Sequence, residues 1–339
     1  MQWHRENSLN AKYSDSDENK RRGICQGCVY GSLAPTNTDQ YRQHREIPLI
    51  PGQCFSLDAY THTKVSSRGR LYCDLFTDLA TRCVYPVFTK DRSAQELCQQ
   101  ARMLFLQNPD WHTNASREQV RFIRLDSESN YRSVEFLAFT SSIGYNLERT
   151  PVRDKHAGGV AERTVGLISA KTNVAMMSPT PRAPQFTWDY AMLYTCVTLS
   201  FNYSSKIGTS PYMKITGQPV NIKYLQPFWS SCYVFIPREE RNKVGSPRAY
   251  KAHFVGYANT KLLFPNYVVI PVTDTGHYLK HKDSKNVIFD PTINFSVYTE
   301  DEEPFDREFD NTDHYVPFLQ RTNAPIILQG PNATPNINT

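Results

Sequence analysis

Three carboxylates stand at intervals that phosphodiester chemistry on metal ions would use. Asp58, in CFSLDAYTH, is separated by 67 residues from Asp126, in QVRFIRLD, and Glu162, in GGVAERTVGLISAK, comes after 35 more. Hard divalent cations such as Mg²⁺ or Mn²⁺ prefer carboxylate oxygen, and two such ions about 3.5 to 4 Å apart clamp the attacking and leaving oxygens of an in-line displacement. Any one of the three alone is as well explained by a loop or a helix cap; only the triple, in this order, points to a site. Glu128 and Glu135, near the second aspartate, are alternative acidic ligands. They rank below Glu162 because neither has its placement in the helix that comes after the fifth strand.

The elements that must position these groups are legible from periodicity. Residues 54–62, 70–79 and 83–89 are β-branched and aromatic runs joined by turn material such as SSRG, which predicts a three-stranded antiparallel meander. SAQELCQQARMLFLQNP (93–109) opens on Ser93 with Glu96 three residues on, a capping box, and places Leu97, Ala101, Leu104 and Phe105 at helical spacing before Asn108-Pro109 stops it. Next come a strand over 119–126, a helix over 133–144, a short strand over 145–150 and a long helix from about Val160. That order, three antiparallel strands and then alternating helix and strand, is the α/β order of an RNase H-like fold: a mixed five-stranded sheet with flanking helices. Asp58 then lies inside the first strand, Asp126 closes the fourth, and Glu162 sits in the first turn of the helix after the fifth. The aromatic run over 186–203 has helical spacing and predicts a core helix, with a base-stacking platform as the sharper alternative.

At 339 residues the chain has room for about two domains, and 40% hydrophobic with 12% aromatic residues excludes wholesale disorder. A net charge of +5 suits a nucleic-acid partner without requiring one. No apolar run approaches the roughly 18 residues of a membrane span, and the polar start MQWHRENSLN lacks a signal-peptide core, so neither membrane insertion nor secretion is expected. The eight cysteines lie mostly in apolar stretches and are expected to be reduced, buried thiols of a cytosolic or nuclear protein. Residues 5–23 are almost wholly polar. The acidic stretch TEDEEPFDREFDNTD opens a polar tail at 299.

In FSLDAY, FIRLD and GGVAER with its 35-residue interval, the chain resembles the integrases of copia-type LTR retrotransposons, which share the D,D,E triad of retroviral integrases. The later segments 209–237, 249–257 (AYKAHFVGY) and 286–295 (NVIFDPTINF) resemble the stretch after the catalytic core in copia-type polyproteins, so the likeness spans residues 25 to 298. It implies an N-terminal polar segment with a partial zinc-binding-like remnant (1–45), an RNase H-like core (46–225), a small SH3-like β-barrel (226–298) and an acidic tail (299–339). It also implies metal-dependent processing of DNA 3′ ends and strand transfer into target DNA. Asp58 would be shared by two Mg²⁺ or Mn²⁺ ions, with Asp126 and Glu162 each completing one site. The implied partners are element ends and target DNA, bound by a homo-oligomer that works from a cytoplasmic virus-like particle and acts in the nucleus. Two motifs depart from the family: DSESNYRSVEF replaces a short Asp-Asn/Gly-Gly stretch, and Gly158-Gly159 replaces Asn-Gly. The alternatives are an RNase H-like nuclease that does not join and a decayed copy that binds nucleic acid without catalysis.

Weaker signals flank the triad. Cys25 and Cys28 have the C-x₂-C spacing of half a zinc site, with His4 and His44 as the nearest further ligands, and a degenerate remnant is the better explanation. Lys155, His156 and Arg163, beside Glu162, are placed to touch a phosphate backbone or to be plain surface charges. Arg238, Arg241, Lys243, Arg248 and Lys251 form a basic cluster interleaved with Pro237, Tyr250 and Phe254, which would track DNA phosphates or be a solvated hairpin.

Overall fold

A computed structural model describes residues 50–108, 111, 120–125, 130–149, 159–179, 181–241, 245–258 and 266–289. The chain divides into two compact units, 1–47 and 48–339, and all described residues lie in the second.

The meander forms as expected: β1 (Cys54–Thr61), β2 (Tyr72–Asp78) and β3 (Val84–Thr89) pair antiparallel. After helix α1 (Ala94–Gln107), strand β4 (Phe122–Leu125) adds parallel to β1. After α2 (Val134–Ser142), β5 (Asn146–Arg149) adds parallel to β4. The sheet order is therefore β3-β2-β1-β4-β5, the mixed RNase H-like order. Parallel neighbours need crossover connections, and α1 and α2 supply them. Three more helices complete this part: α3 (Gly159–Met177), α4 (Trp188–Ser200) and α5 (Pro211–Thr216).

Alternation along β1 sorts its side chains onto two faces. Phe55 and Leu57, both fully buried, share a core with Leu97, Leu104 and Phe105 of α1 and Phe136 and Phe139 of α2. The Phe55 ring meets those of Phe105, Trp111 and Tyr145 at 5.8, 4.9 and 6.0 Å between centroids. Gly52 makes this packing possible: it holds φ at +77°, and a Cβ there would lie 2.4 Å from the Trp111 ring. On the other face, Cys73 and Leu75 of β2 pack with Ile168 of α3 and with Trp188 and Cys196 of α4.

The capping of α1 differs from the expected box. Ser93 Oγ accepts from the Glu96 backbone N–H at 3.2 Å, but the Glu96 carboxylate takes Arg70 at 2.9 Å, and the Ser93 backbone N–H donates to Asp91 Oδ1 instead. A buried arginine outbids a backbone donor for the carboxylate, because its charge-assisted bond is the stronger one.

Strands β6 (Ser231–Phe235), β7 (Ala249–Tyr257), β8 (Tyr267–Pro271), β9 (Lys282–Ser284) and β10 (Val287–Phe289) form a second, wholly antiparallel sheet in the order β10-β6-β7-β8-β9. It fits a small β domain, with one correction. Among the described residues β10 and β9 are unjoined edges, so the sheet is open where a closed barrel was expected. Helix α4, apolar on nearly every side, lies between the two sheets and packs on both β3 and β7. That all-round burial bears out the core-helix expectation for 186–203, although Tyr203, past the end of the helix, is exposed. Cys54, Cys73, Cys83, Cys196 and Cys232 are buried and outside any disulfide, as is the half-buried Cys98. No described helix is long and apolar enough to cross a membrane.

Candidate active site

Asp58 stands on the central strand of the first sheet. Its antiparallel partner is Leu75 of β2, and on the other side Leu57, one residue earlier, pairs with Leu125 of β4. Asp58 is half-buried, and its Oδ1 accepts from the Ala59 backbone N–H at 2.9 Å, a short tether that biases the carboxylate's orientation. Leu125 is the last described residue of β4, so Asp126 itself lies outside the described residues, one position beyond the pair that is level with Leu57.

Glu162 occupies the first turn of α3 and is solvent-exposed, as is Arg163 beside it. Helix α3 packs on β1 and β2, the strands that carry Asp58 and its partner Leu75. A carboxylate in the first turn is favoured by the helix dipole, which offers local reason for an acidic residue there. Arg163 reaches toward the β2–β3 turn. The Arg82 guanidinium in that turn has its pKa lowered chiefly by burial, against the raising effect of Asp78, and Arg163 adds a like-charge push downward.

No group of three or more metal-ligating side chains is assembled among the described residues, which exclude Asp126. The two described carboxylates are hard oxygen donors on elements in mutual contact, a donor chemistry that fits Mg²⁺ or Mn²⁺ and not a thiophilic ion. Glu135 is exposed on α2, which packs with α1 on the face opposite α3. Glu128, Lys155, His156, Lys243 and the pair Cys25 and Cys28 lie outside the described residues.

Two side chains unmarked by the sequence reading extend the Asp58 face. By strand alternation Tyr60 and then His62 come next on that side, and His62 stacks on the buried Trp188 ring at 4.7 Å with the planes 4° apart. Burial lowers the His62 pKa, against opposing effects of the Lys64 backbone and Asp189. The alternation Asp58, Tyr60, His62 was visible in DAYTH; the Trp188 partner, 126 residues on, had no local signal. The connection from β1 to β2 is pinned to α4 by Asp189, fully buried, which accepts from Arg68 Nε at 2.7 Å and Ser66 Oγ at 2.9 Å.

The basic cluster of the second sheet is only partly as expected. Arg238, Arg248 and Lys251 are exposed, and Arg241 is half-buried, donating to the Ile236 carbonyl at 2.8 Å with its guanidinium 4.8 Å from the Phe235 ring centre. Phe254 does not interleave with them: it is fully buried, because β7 turns inward from Ala252. The exposed apolar neighbours are instead Phe235 and Ile288, with Tyr233 half-buried between Ile288 and Lys251 in one cross-strand row.

No family model matches the chain. A curated relative, the retrovirus-related Pol polyprotein from transposon TNT 1-94 of Nicotiana tabacum, is 26% identical over 200 residues, which is 57% of this chain and 14% of the relative's length. Among solved structures, the simian T-cell lymphotropic virus intasome in complex with the PP2A regulatory subunit B56 gamma aligns over 72% of this chain and 79% of that one, at 15% identity and a TM-score of 0.41. The HTLV-2 integrase catalytic core domain in complex with magnesium aligns over 49% and 97% (19% identity, TM-score 0.36), and the BIV integrase catalytic core over 48% and 91% (11%, 0.36). The chain thus combines an RNase H-like sheet order and an aspartate on the central strand with sequence similarity to a part of a transposon Pol polyprotein.

Proposed function

We propose that this chain is a DNA integrase that processes the 3′ ends of linear element DNA and joins them to target DNA, using Asp58, Asp126 and Glu162 with two Mg²⁺ or Mn²⁺ ions. One observation supports it most: Asp58 lies on the central strand, the parallel strand β4 runs out level with it toward Asp126, and the helix that opens with Glu162 packs on the same strand.

The ions, when bound, supply charge neutralisation at phosphorus and lower the pKa of an attacking oxygen. The protein's part is positioning. Asp58 is held from a sheet centre that cannot shift without disturbing β2 and β4, and its tether to the Ala59 N–H biases the carboxylate's orientation. Glu162, at the exposed start of a helix, contributes its oxygens from the solvent side, where a DNA end can enter. Lys155, His156 and Arg163 contact the phosphate backbone, as do Arg241, Lys243, Arg248 and Lys251 of the second sheet. These contacts carry no sequence information and weaken with salt. The zinc half-site of Cys25 and Cys28 is a remnant, and the divisions 1–45, 46–225, 226–298 and 299–339 belong to the same proposal. So do a homo-oligomer that holds two DNA ends against one target, and a nuclear site of action reached from a cytoplasmic particle.

The test is strand transfer of a labelled, pre-cut duplex end into plasmid with Mn²⁺, wild type against Glu162→Gln. Because Glu162 is exposed, the substitution leaves the fold intact, and joined product is expected only from the wild type. Glu162-dependent nicking without joining would transfer the chain to the nuclease reading, and DNA binding without either would make it a binding relic.

A further inference from the structure

The turn from β2 to β3 is organised by Asp78. Its backbone N–H donates to the Cys83 carbonyl at 2.9 Å, its carbonyl accepts from the Arg82 N–H at 2.7 Å, and its carboxylate accepts from the Thr81 hydroxyl at 2.6 Å and the Ala80 N–H at 3.1 Å. The Cys83 N–H donates to Thr81 Oγ1 at 3.2 Å. Arg82 is the exception in this well-bonded turn. It is not glycine, yet it holds φ at +65°, the left-handed region that disfavours a side chain, and its Nε is enclosed without an acceptor. The side chain makes no hydrogen bond or ion pair among the described residues, although the Asp78 charge attracts it. Arg82 as a whole is half-buried, so the fold grips its stem and leaves the two Nη nitrogens open to solvent. An unfavourable φ and an unmatched Nε both disfavour arginine for folding, which points to a use for the open end of its guanidinium.

The surroundings indicate what that end would take. Arg163, exposed in the first turn of α3, lies near enough for the two like charges to oppose each other. The N–H groups that open α3 add partial positive charge. Of the nearby carboxylates, that of Asp78 already accepts from Thr81 and Ala80, and that of Glu162 is one of the proposed metal ligands. Two guanidiniums brought near each other suit a phosphate, whose oxygens accept from the planar fork in pairs. Distance agrees. Asp78 pairs with Phe55, three residues before Asp58 on β1, so the turn stands about 10 Å along the strand from Asp58. At about 3.4 Å of axial rise per nucleotide, that is about three nucleotides of one DNA strand.

We propose that Arg82, together with Arg163, binds one phosphodiester of a DNA strand within about three nucleotides of the reacting phosphate, a positioning role that rests on the integrase reading above. The test is fluorescence anisotropy of a labelled duplex end bound to the full chain in EDTA, so that no strand is cut. Duplexes carry a single neutral methylphosphonate, moved one linkage at a time along the terminal stretch of each strand. Arg82→Gly, which suits the left-handed φ, should keep or raise the urea midpoint of the wild type while weakening binding about tenfold and lowering the log–log salt slope by about one unit. One neutral linkage should weaken the wild type by a similar factor and leave Arg82→Gly unaffected. Equal binding by both proteins, or no linkage whose neutralisation spares the variant, overturns the phosphate site and leaves the integrase reading to its strand-transfer assay. A lowered midpoint with unchanged binding would make Arg82 a structural residue and also overturns it. Absence of DNA binding by the wild type overturns both.

Discussion

The two five-stranded sheets use similar residues to opposite ends. In the first, β1 has an antiparallel neighbour on one side and a parallel one on the other, and the parallel pairing forces crossover helices that bring distant stretches of chain to the strand's end. Asp58 therefore sits where β4 runs out and where α3 packs. In the second, every pairing is antiparallel, neighbouring strands along β6 to β9 are also neighbours in sequence, and no distant carboxylates are gathered among the described residues. Its most deeply buried polar side chain is His253, enclosed by Trp229 and Tyr278. Mixed pairing collects chemistry from far apart in the sequence, whereas a meander builds a surface. The first sheet is accordingly the candidate catalytic element and the second the candidate DNA contact.

The largest effect should come from the core that holds β1 in place. Phe55→Ala removes a ring with no solvent exposure and should cost about 3–5 kcal/mol, measured by urea denaturation. If the loss is under about 1 kcal/mol, the first sheet is not the rigid partner in this comparison.

The two sheets should next differ in the sign of their pH response. Burial pushes the Asp78 carboxyl, at the end of β2, up to about 6, although it accepts from Thr81 Oγ1 at 2.6 Å and the Ala80 N–H. Its folded-state pKa lies above the usual 3.8, so its contribution is present below about pH 4 and is lost as pH rises through about 6. Asp78→Asn should therefore gain on the wild type, by on the order of 2 kcal/mol, between pH 4 and 7. Burial pulls His253 down to about 4, against a raising bond to the Trp229 carbonyl. Its contribution is present above about pH 6.5 and is lost as pH falls toward 4, so His253→Phe should gain on the wild type on acidification. Denaturation midpoints of both variants at about pH 4.5, 5.5 and 7 check the pair, and parallel trends would refute the contrast.

The smallest effect is at the surface. Lys251 lies 3.7 Å from Asp274, and both are exposed, so Lys251→Ala should change stability by less than about 0.5 kcal/mol. It should weaken duplex DNA binding only a few-fold and reduce the salt dependence by about one unit of log–log slope, read by fluorescence anisotropy across a salt series.

Much of the first sheet was legible because its strands and α1 announce themselves locally: the β-branched runs, the turn SSRG, Ser93 at a helix start and Asn108-Pro109 at its end. Glu162 was legible for the same reason, as an acidic residue opening a long periodic helix. The features that stayed hidden depend on partners far away in sequence. Nothing near Glu96 indicated that Arg70 would take its carboxylate from the capping box, and nothing in DAYTH indicated that His62 would stack on Trp188. The placement of Phe254 among the basic residues failed because position alone does not say where β7 turns inward; the run of apolar residues from Ala252 to Tyr257 carried that information. Barrel closure is a property of which edges pair, and local periodicity does not encode it.

Convergence of Asp58, Asp126 and Glu162 on divalent metal is measured most directly by Mn²⁺ titration of the full chain, tracked through the electron paramagnetic resonance signal of free Mn²⁺, for wild type and Asp126→Asn. Saturable uptake by the wild type, weakened at least about tenfold in the variant while its circular dichroism is unchanged, is the predicted result. Equal uptake by both proteins would contradict a shared carboxylate site.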